Sequence, residues 1–284
     1  MVRRRMPGGR FSGRIIIALV LAAISLFTYF SSREQNPITG EVQNVGLTVE
    51  QEIVMGLEAA PQMAAEFGGL DPDQEAQNLV DQVGQNIVRS SAAGSSDYQF
   101  EFHLLADSQT INAFALPGGQ VFITAGLFDQ LQNVDQLAGV LGHEIGHVIG
   151  RHSAEQIARA QLTEGLTGAA VIAAYDPNNP SSAQQAQMAV LVGQLINMRY
   201  GRDDEIESDF FGVCFMDEAG YDPQAMIGVM EILAQASGGQ RRAEPAGVLL
   251  HAPQPGKPHP AHPGGDQQSG PLPGALISAS GCGT

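Results

Sequence analysis

The pattern of apolar and polar positions divides the chain into blocks. Ile15 to Phe30 (IIIALVLAAISLFTYF) is a run of 16 residues without a charge, flanked by Arg14 and Arg33. Thr48 to Phe67 opens with Thr-Val-Glu-Gln, a capping sequence with acidic residues in the first turn of a helix. Leu70 to Arg89 repeats apolar residues at Ala76, Leu79, Val80, Val83 and Ile87, the stripe of a second helix. Tyr98 to Leu105 instead alternates for most of its length, as a half-buried strand does. Asn112 to Leu116, the turn Pro117-Gly118-Gly119 and Gln120 to Thr124 read as strand, tight turn, strand. Helical periodicity resumes over Gln130 to Ile149 and over Ala154 to Ala174. A loop at Asp176 to Ser182 precedes expected helices over Ala183 to Gly201, Asp203 to Ala219, and from Gly220-Tyr-Asp-Pro to about Gln235. From Gln240 onward, 8 prolines, many glycines and no apolar period mark a disordered or loosely attached tail. These elements predict a mainly α protein with a small β-sheet, an α+β fold.

Charge sharpens the boundaries. Six of the 14 basic residues (Arg3, Arg4, Arg5, Arg10, Arg14, Arg33) lie in the first 33 positions; the rest of the chain carries 8 basic and 30 acidic side chains, a balance of 8 − 30 = −22. Such a surface repels nucleic acid, so no nucleic-acid partner is expected. Arginines before an apolar run of this length fit a signal anchor, a cleaved signal peptide or a buried core helix. The absence of an Ala-x-Ala site favours the anchor, with the arginines held in the cytoplasm. The expected organisation is a basic cytoplasmic segment at 1–14, a transmembrane signal anchor at 15–32, a linker at 33–47 turning at Asn36-Pro37 and Thr39-Gly40, a folded domain at 48–239 and a tail at 240–284. Two cysteines are too few for a disulfide framework.

The candidate chemistry lies in Leu141-Gly-His-Glu-Ile-Gly-His147, within the apolar-periodic helix. His143 and His147 are one turn apart on one helix face and can reach one metal ion, and Glu144 beside them can take a proton from water activated by that metal. One Zn²⁺ per chain is the expected cofactor, and three protein ligands are usual at a catalytic zinc. Glu205 and Asp209, four residues apart on one face of a later helix, are the candidates for the third ligand and for an acceptor that fixes a ligand tautomer. Asp204 and Glu207 point elsewhere, and all four also fit a solvated helix face. His152 and Arg202 are the nearest candidates for a donor to the transition state, although His152 also suits a structural role at a helix C-terminus. His103 reads as a packed or surface residue. The strand beginning at Asn112 offers an edge to an extended peptide, which makes Asn112 a further candidate substrate contact.

Five stretches together carry a resemblance: NPITGEVQNVGLTVEQEIVMG (36–56), NAFALPGG (112–119), LGHEIGHVIGRH (141–152), YGRDDEIESDFFGV (200–213) and GYDPQAM (220–226). The chain resembles the HtpX-like and CAAX-prenyl-protease-like zinc metallopeptidases, in their bacterial soluble-domain branch of periplasmic proteases and chaperones. The resemblance implies a minigluzincin-like zincin core over 48–239, behind the anchor. It maps His143, His147 and Glu205 to the zinc ligands, Glu144 to the catalytic base and Asp209 to the acid that follows the third ligand. Ser208 stands where alanine is common in that family. The implied function is a zinc metalloendopeptidase of the bacterial inner membrane, single-pass, with its catalytic domain on the periplasmic or extracellular side. Unfolded or misassembled envelope proteins are the implied substrates, and a catalytically latent metal-binding chaperone is the alternative.

Overall fold

The computed structural model describes residues 10–174 and 200–239. The expected loop at 176–182, the expected helix over most of 183–201, the basic residues Arg3 to Arg5 and the tail at 240–284 lie outside the described residues.

The elements follow in chain order. Helix α1 is Arg10–Ser31, strands β1 and β2 are Arg33–Gln35 and Val42–Asn44, α2 is Val49–Glu66 and α3 is Gln74–Ser90. Strands β3, β4 and β5 are Glu101–Leu105, Ala113–Ala115 and Gln120–Thr124. They lead into the short α4 (Ala125–Phe128), then α5 (Val134–Ile149) and α6 (His152–Ala174). Helices α7 (Arg202–Glu218) and α8 (Ala225–Gly239) complete the described part. The fold is the expected α+β, mostly helical with small sheets.

Local signals set the helix starts. Thr48 and Gln51 form the reciprocal capping box at the head of α2. Asp73 accepts from Glu75 N–H and Ala76 N–H at α3, and Asn133 accepts from Gln136 N–H at α5. In the three-stranded sheet β5 is central, parallel to β3 and antiparallel to β4. The turn from β4 to β5 needs Gly118 and Gly119, whose φ angles are +85° and +109°.

Helix α5 runs through the core, with every residue from Gln136 to Ile149 buried. Leu137, Val140, Leu141 and Ile145 pack in one apolar cluster with Val80, Val83 and Ile87 of α3, Ile123 of β5, Phe215 and Met216 of α7, and Val229 of α8. Helix α7 lies against α5 with backbone close to backbone. A Cβ added to Gly212 would sit 3.0 Å from His143 N, and one added to Gly146 would sit 3.0 Å from Ser208 O.

The stretch expected as a linker turns where the sequence indicates, but it pairs as an antiparallel hairpin, with Arg33 opposite Asn44 and Gln35 opposite Val42. The hairpin docks on the end of α5. Asn36 Nδ2 donates to Ile149 O at 2.8 Å, and Gln43 Nε2 donates to Gly150 O, so two side chains satisfy carbonyls that a helix end leaves without partners. Arg151 follows with φ +57° and is buried; it donates to Glu52, Glu34 and Leu47 O.

Helix α1 packs along α6, with Ser25 against Gly165. Among the described residues, no helix is long and apolar enough to cross a membrane. The uncharged part of α1, Ile15 to Ser31, is 17 residues and spans about 26 Å at ~1.5 Å per residue, less than the ~30 Å of a hydrocarbon core.

The α5–α7 contact predicts that Gly212→Val destabilises the fold. Its added carbons meet Met226 Cε, which can move, and the backbone of His143, which cannot. Overpacking costs about 1–3 kcal/mol, more than the few tenths that valine recovers over glycine in helix propensity. A lowered denaturant midpoint is the expected reading; an unchanged midpoint would show that the helices can separate freely.

Candidate metal centre

His143 and His147 project from consecutive turns of α5, and their rings stand nearly edge to face with centroids 4.7 Å apart. Their Nε2 atoms are 3.0 Å from each other. Glu205 comes from the first turn of α7, whose start is fixed by Gly201 N–H donating to Asp204 Oδ2 at 2.8 Å. The Glu205 carboxylate oxygens lie 3.7 Å from His143 Nε2 and 3.8 Å from His147 Nε2. One ligand atom from each residue falls within 4.8 Å of the other two.

Behind the ligand atoms a second layer of contacts holds the rings. His143 Nδ1 is 2.9 Å from Asp209 Oδ1, the contact expected for Asp209. His147 Nδ1 is 2.8 Å from His152 Nδ1, and His152 Nε2 is 2.8 Å from Glu207 Oε2. Tyr200 stacks on the face of His147 with centroids 4.0 Å apart and planes at 21°, and its hydroxyl is 2.8 Å from Ser153 Oγ. Burial pushes the Tyr200 phenol above its ordinary range.

These positions revise three expectations. His152 cannot serve as a transition-state donor here: it is 1 % exposed and both its ring nitrogens are engaged inside the protein. Glu207 does not point away from the site, because it reaches His152. Arg202 is exposed at the first residue of α7, outside the buried group. His103 is packed as expected, bonded to Gln120 at 2.8 Å and stacked on Phe122. Tyr200 was the residue sequence reasoning passed over, and its only signal is an aromatic side chain one residue before the cap of α7.

Asn112 keeps its candidacy. It is 1 % exposed and leads into β4, and neither side-chain amide atom has a hydrogen-bond partner. A buried amide without partners is costly, which points to a polar ligand.

The charges around α5 depend on one another. Glu144 is buried, and desolvation is the main cause that raises its pKa to about 7; Glu205 adds to this, while His143 and a hydrogen bond from Ala115 N–H oppose it. Burial pushes His143 down. The Asp209 hydrogen bond and the charges of Glu144, Asp209 and Glu205 outweigh that, so its pKa lies above the ordinary imidazole value. His147 is held well below that value by burial and by its two histidine neighbours. Of the two rings, His143 is therefore the more basic and His147 the less.

The donor set fits zinc. Bonds of ~2.0–2.1 Å to two imidazoles in a tetrahedral site imply about 3.3 Å between the nitrogens, close to the spacing found here. Two buried nitrogens and a carboxylate suit a borderline cation, and both Nδ1 atoms have partners that leave Nε2 free for the metal.

Comparisons with known proteins agree. The chain belongs to peptidase family M48, whose family model matches residues 74–264, about two thirds of the chain. Over 251 residues it is 32% identical to a putative beta-barrel assembly-enhancing protease of Vibrio cholerae, covering 86% of this chain and 50% of that protein. It is 31% identical over 255 residues to the beta-barrel assembly-enhancing protease of Escherichia coli, with 84% and 50% covered. It is 31% identical over 217 residues to the mitochondrial metalloendopeptidase OMA1 of Schizosaccharomyces pombe, with 76% and 61% covered. The chain thus spans about half the length of these bacterial relatives.

The charge analysis predicts pH-dependent metal uptake. The metal-free protein holds protons on Glu144 up to about pH 7 and on His143 above the ordinary imidazole range, and a bound cation favours the deprotonated form of both. Zinc affinity therefore rises with pH through 7, about tenfold per pH unit for each proton released. Calorimetry in buffers of different ionisation enthalpy measures that release; a pH-independent affinity between pH 6 and 8 would contradict the assignment.

Proposed function

We propose that this M48-family chain is a zinc-dependent endopeptidase of the bacterial cell envelope that hydrolyses peptide bonds of misfolded or unassembled proteins. The carrying observation is the convergence of His143, His147 and Glu205 on one point, with the carboxylate of Glu144 buried beside them and bonded to the sheet edge at Ala115.

In this reading His143, His147 and Glu205 hold the metal. Zinc, when bound, would polarise the scissile carbonyl and acidify the attacking water. Glu144 accepts the proton of that water and returns it to the leaving amine. Its burial suits the task, since a carboxylate with a pKa near neutrality both takes and gives a proton at working pH. Asp209 holds the His143 ring.

The geometry of β4 suits an extended peptide. Asn112 O accepts from Thr124 N–H and Leu116 N–H donates to Gln120 O, so Asn112 and Leu116 face β5 while the alternate residues Ala113 and Ala115 turn their backbone groups to the opposite edge, where Ala115 N–H already meets Glu144. A substrate strand pairing there lies next to Glu144, and the amide of Asn112 supplies a donor and an acceptor. Backbone pairing selects extended, unfolded chain over any one side chain, in keeping with unfolded clients.

Within family M48 we assign the chain to the HtpX-like and CAAX-prenyl-protease-like branch, a reading supported by the resemblance of stretches 112–119, 141–152 and 200–213. The catalytic domain is 48–239 with the hairpin of 33–47 docked on it. The apolar stretch at 15–32 attaches it to the membrane, since Ile16, Leu19, Phe27 and Phe30 are exposed along α1. In this reading the catalytic domain faces the periplasm, and the names of the bacterial relatives support envelope proteins as the clients.

The test is zinc-dependent cleavage of unfolded casein by the full chain beside its Glu144→Gln form. The variant is expected to keep its zinc and to lose about 10²–10⁴-fold in rate, the scale of a lost general base. Cleavage by the variant at the native rate would overturn the role of Glu144. Zinc binding without cleavage by the native chain would instead favour a latent metal-binding chaperone.

A further inference from the structure

We infer that His152 and Glu207 act together as positioning residues for His147, so that the two histidine ligands are held by unlike partners. The inference rests on the zinc reading above.

The proton inventory of the contacts leads to it. A neutral imidazole has one N–H and one acceptor nitrogen. For His147 to offer Nε2 to a cation, its hydrogen must sit on Nδ1. The atom 2.8 Å from that nitrogen is His152 Nδ1, which must therefore accept. The hydrogen of His152 is then on Nε2, and Glu207 Oε2 stands 2.8 Å away to accept it. Each donor in the series His147, His152, Glu207 meets an acceptor, and reversing the tautomer of either ring places two like groups face to face. Ser208 Oγ lies 3.2 Å from His152 Nδ1, a longer contact than that of His147. The stacked Tyr200 closes one face of His147, so the ring is fixed in plane as well as in tautomer.

The companion ligand is supported differently. His143 donates directly to the carboxylate of Asp209, whose side chain is 42 % exposed, whereas His147 leans on a neutral ring that is 1 % exposed, with the anionic oxygen one residue further out. A carboxylate in direct contact raises ligand basicity; a neutral ring chiefly sets orientation. His152 is the first residue of α6 and Glu207 lies in α7, so the series ties the last turn of α5 to two other helices. A histidine that merely closes a helix end would not need an acceptor nitrogen aimed at His147.

The experiment measures zinc affinity of the full chain by competition with a chromophoric chelator, and the visible absorption of the Co²⁺-loaded protein. His152→Leu removes the acceptor. His152→Asn keeps an acceptor oxygen near the position of Nδ1. The expected result is a loss of about 10–100-fold in affinity for His152→Leu with an altered cobalt spectrum, and recovery of most of both by His152→Asn. Glu207→Gln, which retains an acceptor oxygen, is expected to lose less than His152→Leu. If His152→Leu fails to fold, a folded His152→Asn with near-native affinity and spectrum still supports the role. A folded His152→Asn with the weak affinity and altered spectrum of a lost acceptor overturns it, as does a His152→Leu that binds zinc within twofold of the native chain. No zinc binding by the native chain would sink the metal reading itself, an outcome distinct from native binding that is indifferent to His152.

Discussion

The site depends on how closely α7 lies against α5. Packed helices usually keep their axes 8–10 Å apart because side chains fill the space between them. Here Gly142 and Gly146 of α5 meet Gly212 and the backbone of Ser208 on α7, and a Cβ added to either would sit 3.1 Å or 3.0 Å from a carbonyl oxygen of α7. Each of those α5 glycines directly precedes a histidine. The same helical repeat that clears the contact therefore places His143 and His147 beside it, and Glu205 and Asp209 arrive from the facing helix. A displacement of 1 Å would leave Asp209 beyond hydrogen-bonding reach of His143.

Such closeness buries groups that water would otherwise solvate, and the cost must be met inside the protein. An unpartnered buried polar atom costs about 1–3 kcal/mol, more when charged. Both ligand rings have an Nδ1 partner, and Glu144 has Ala115 N–H. The end of α5 poses the same problem for backbone carbonyls, and Asn36 and Gln43 solve it from more than a hundred residues away in sequence. Arg151 extends that clamp. Burial raises the pKa of Glu52 despite the opposing charge of Arg151, so desolvation is the larger effect. A buried pair of this kind contributes little net stability while strongly disfavouring any arrangement that leaves one partner alone. Its role is to fix where the hairpin and α2 sit against the motif helix.

Much of this was legible from spacing. Four-residue intervals gave the two histidines one face of a helix and Glu205 and Asp209 one face of another. Alternation and the paired glycines located the strands and their turn. What spacing describes is a face, not the neighbour that covers it. Glu207 lies off the Glu205–Asp209 row and so read as turned away, yet α7 meets more than α5, and the off-row residue found the first residue of α6. His152 showed only as a histidine near a helix end; its function depends on which nitrogen faces which partner, a property that periodicity does not encode. The hairpin was hidden for a related reason. Its two strands of three residues are too short to show alternation, and its purpose is contact with Ile149 and Gly150, remote in sequence.

The arrangement of charge explains why the site can stand ready before a cation arrives. His143 is surrounded by Glu144, Glu205 and Asp209, whose negative charges favour a positive charge at their centre. Those charges raise the basicity of His143, while burial suppresses that of His147. A proton on His143, or a cation held by His143, His147 and Glu205, would answer the same carboxylates and could share one set of outer contacts. Because the contacts come from β4, α6 and α7 as well as α5, they form only when distant parts of the chain have assembled. Metal affinity is then a property of the finished fold rather than of the short motif that first reveals it.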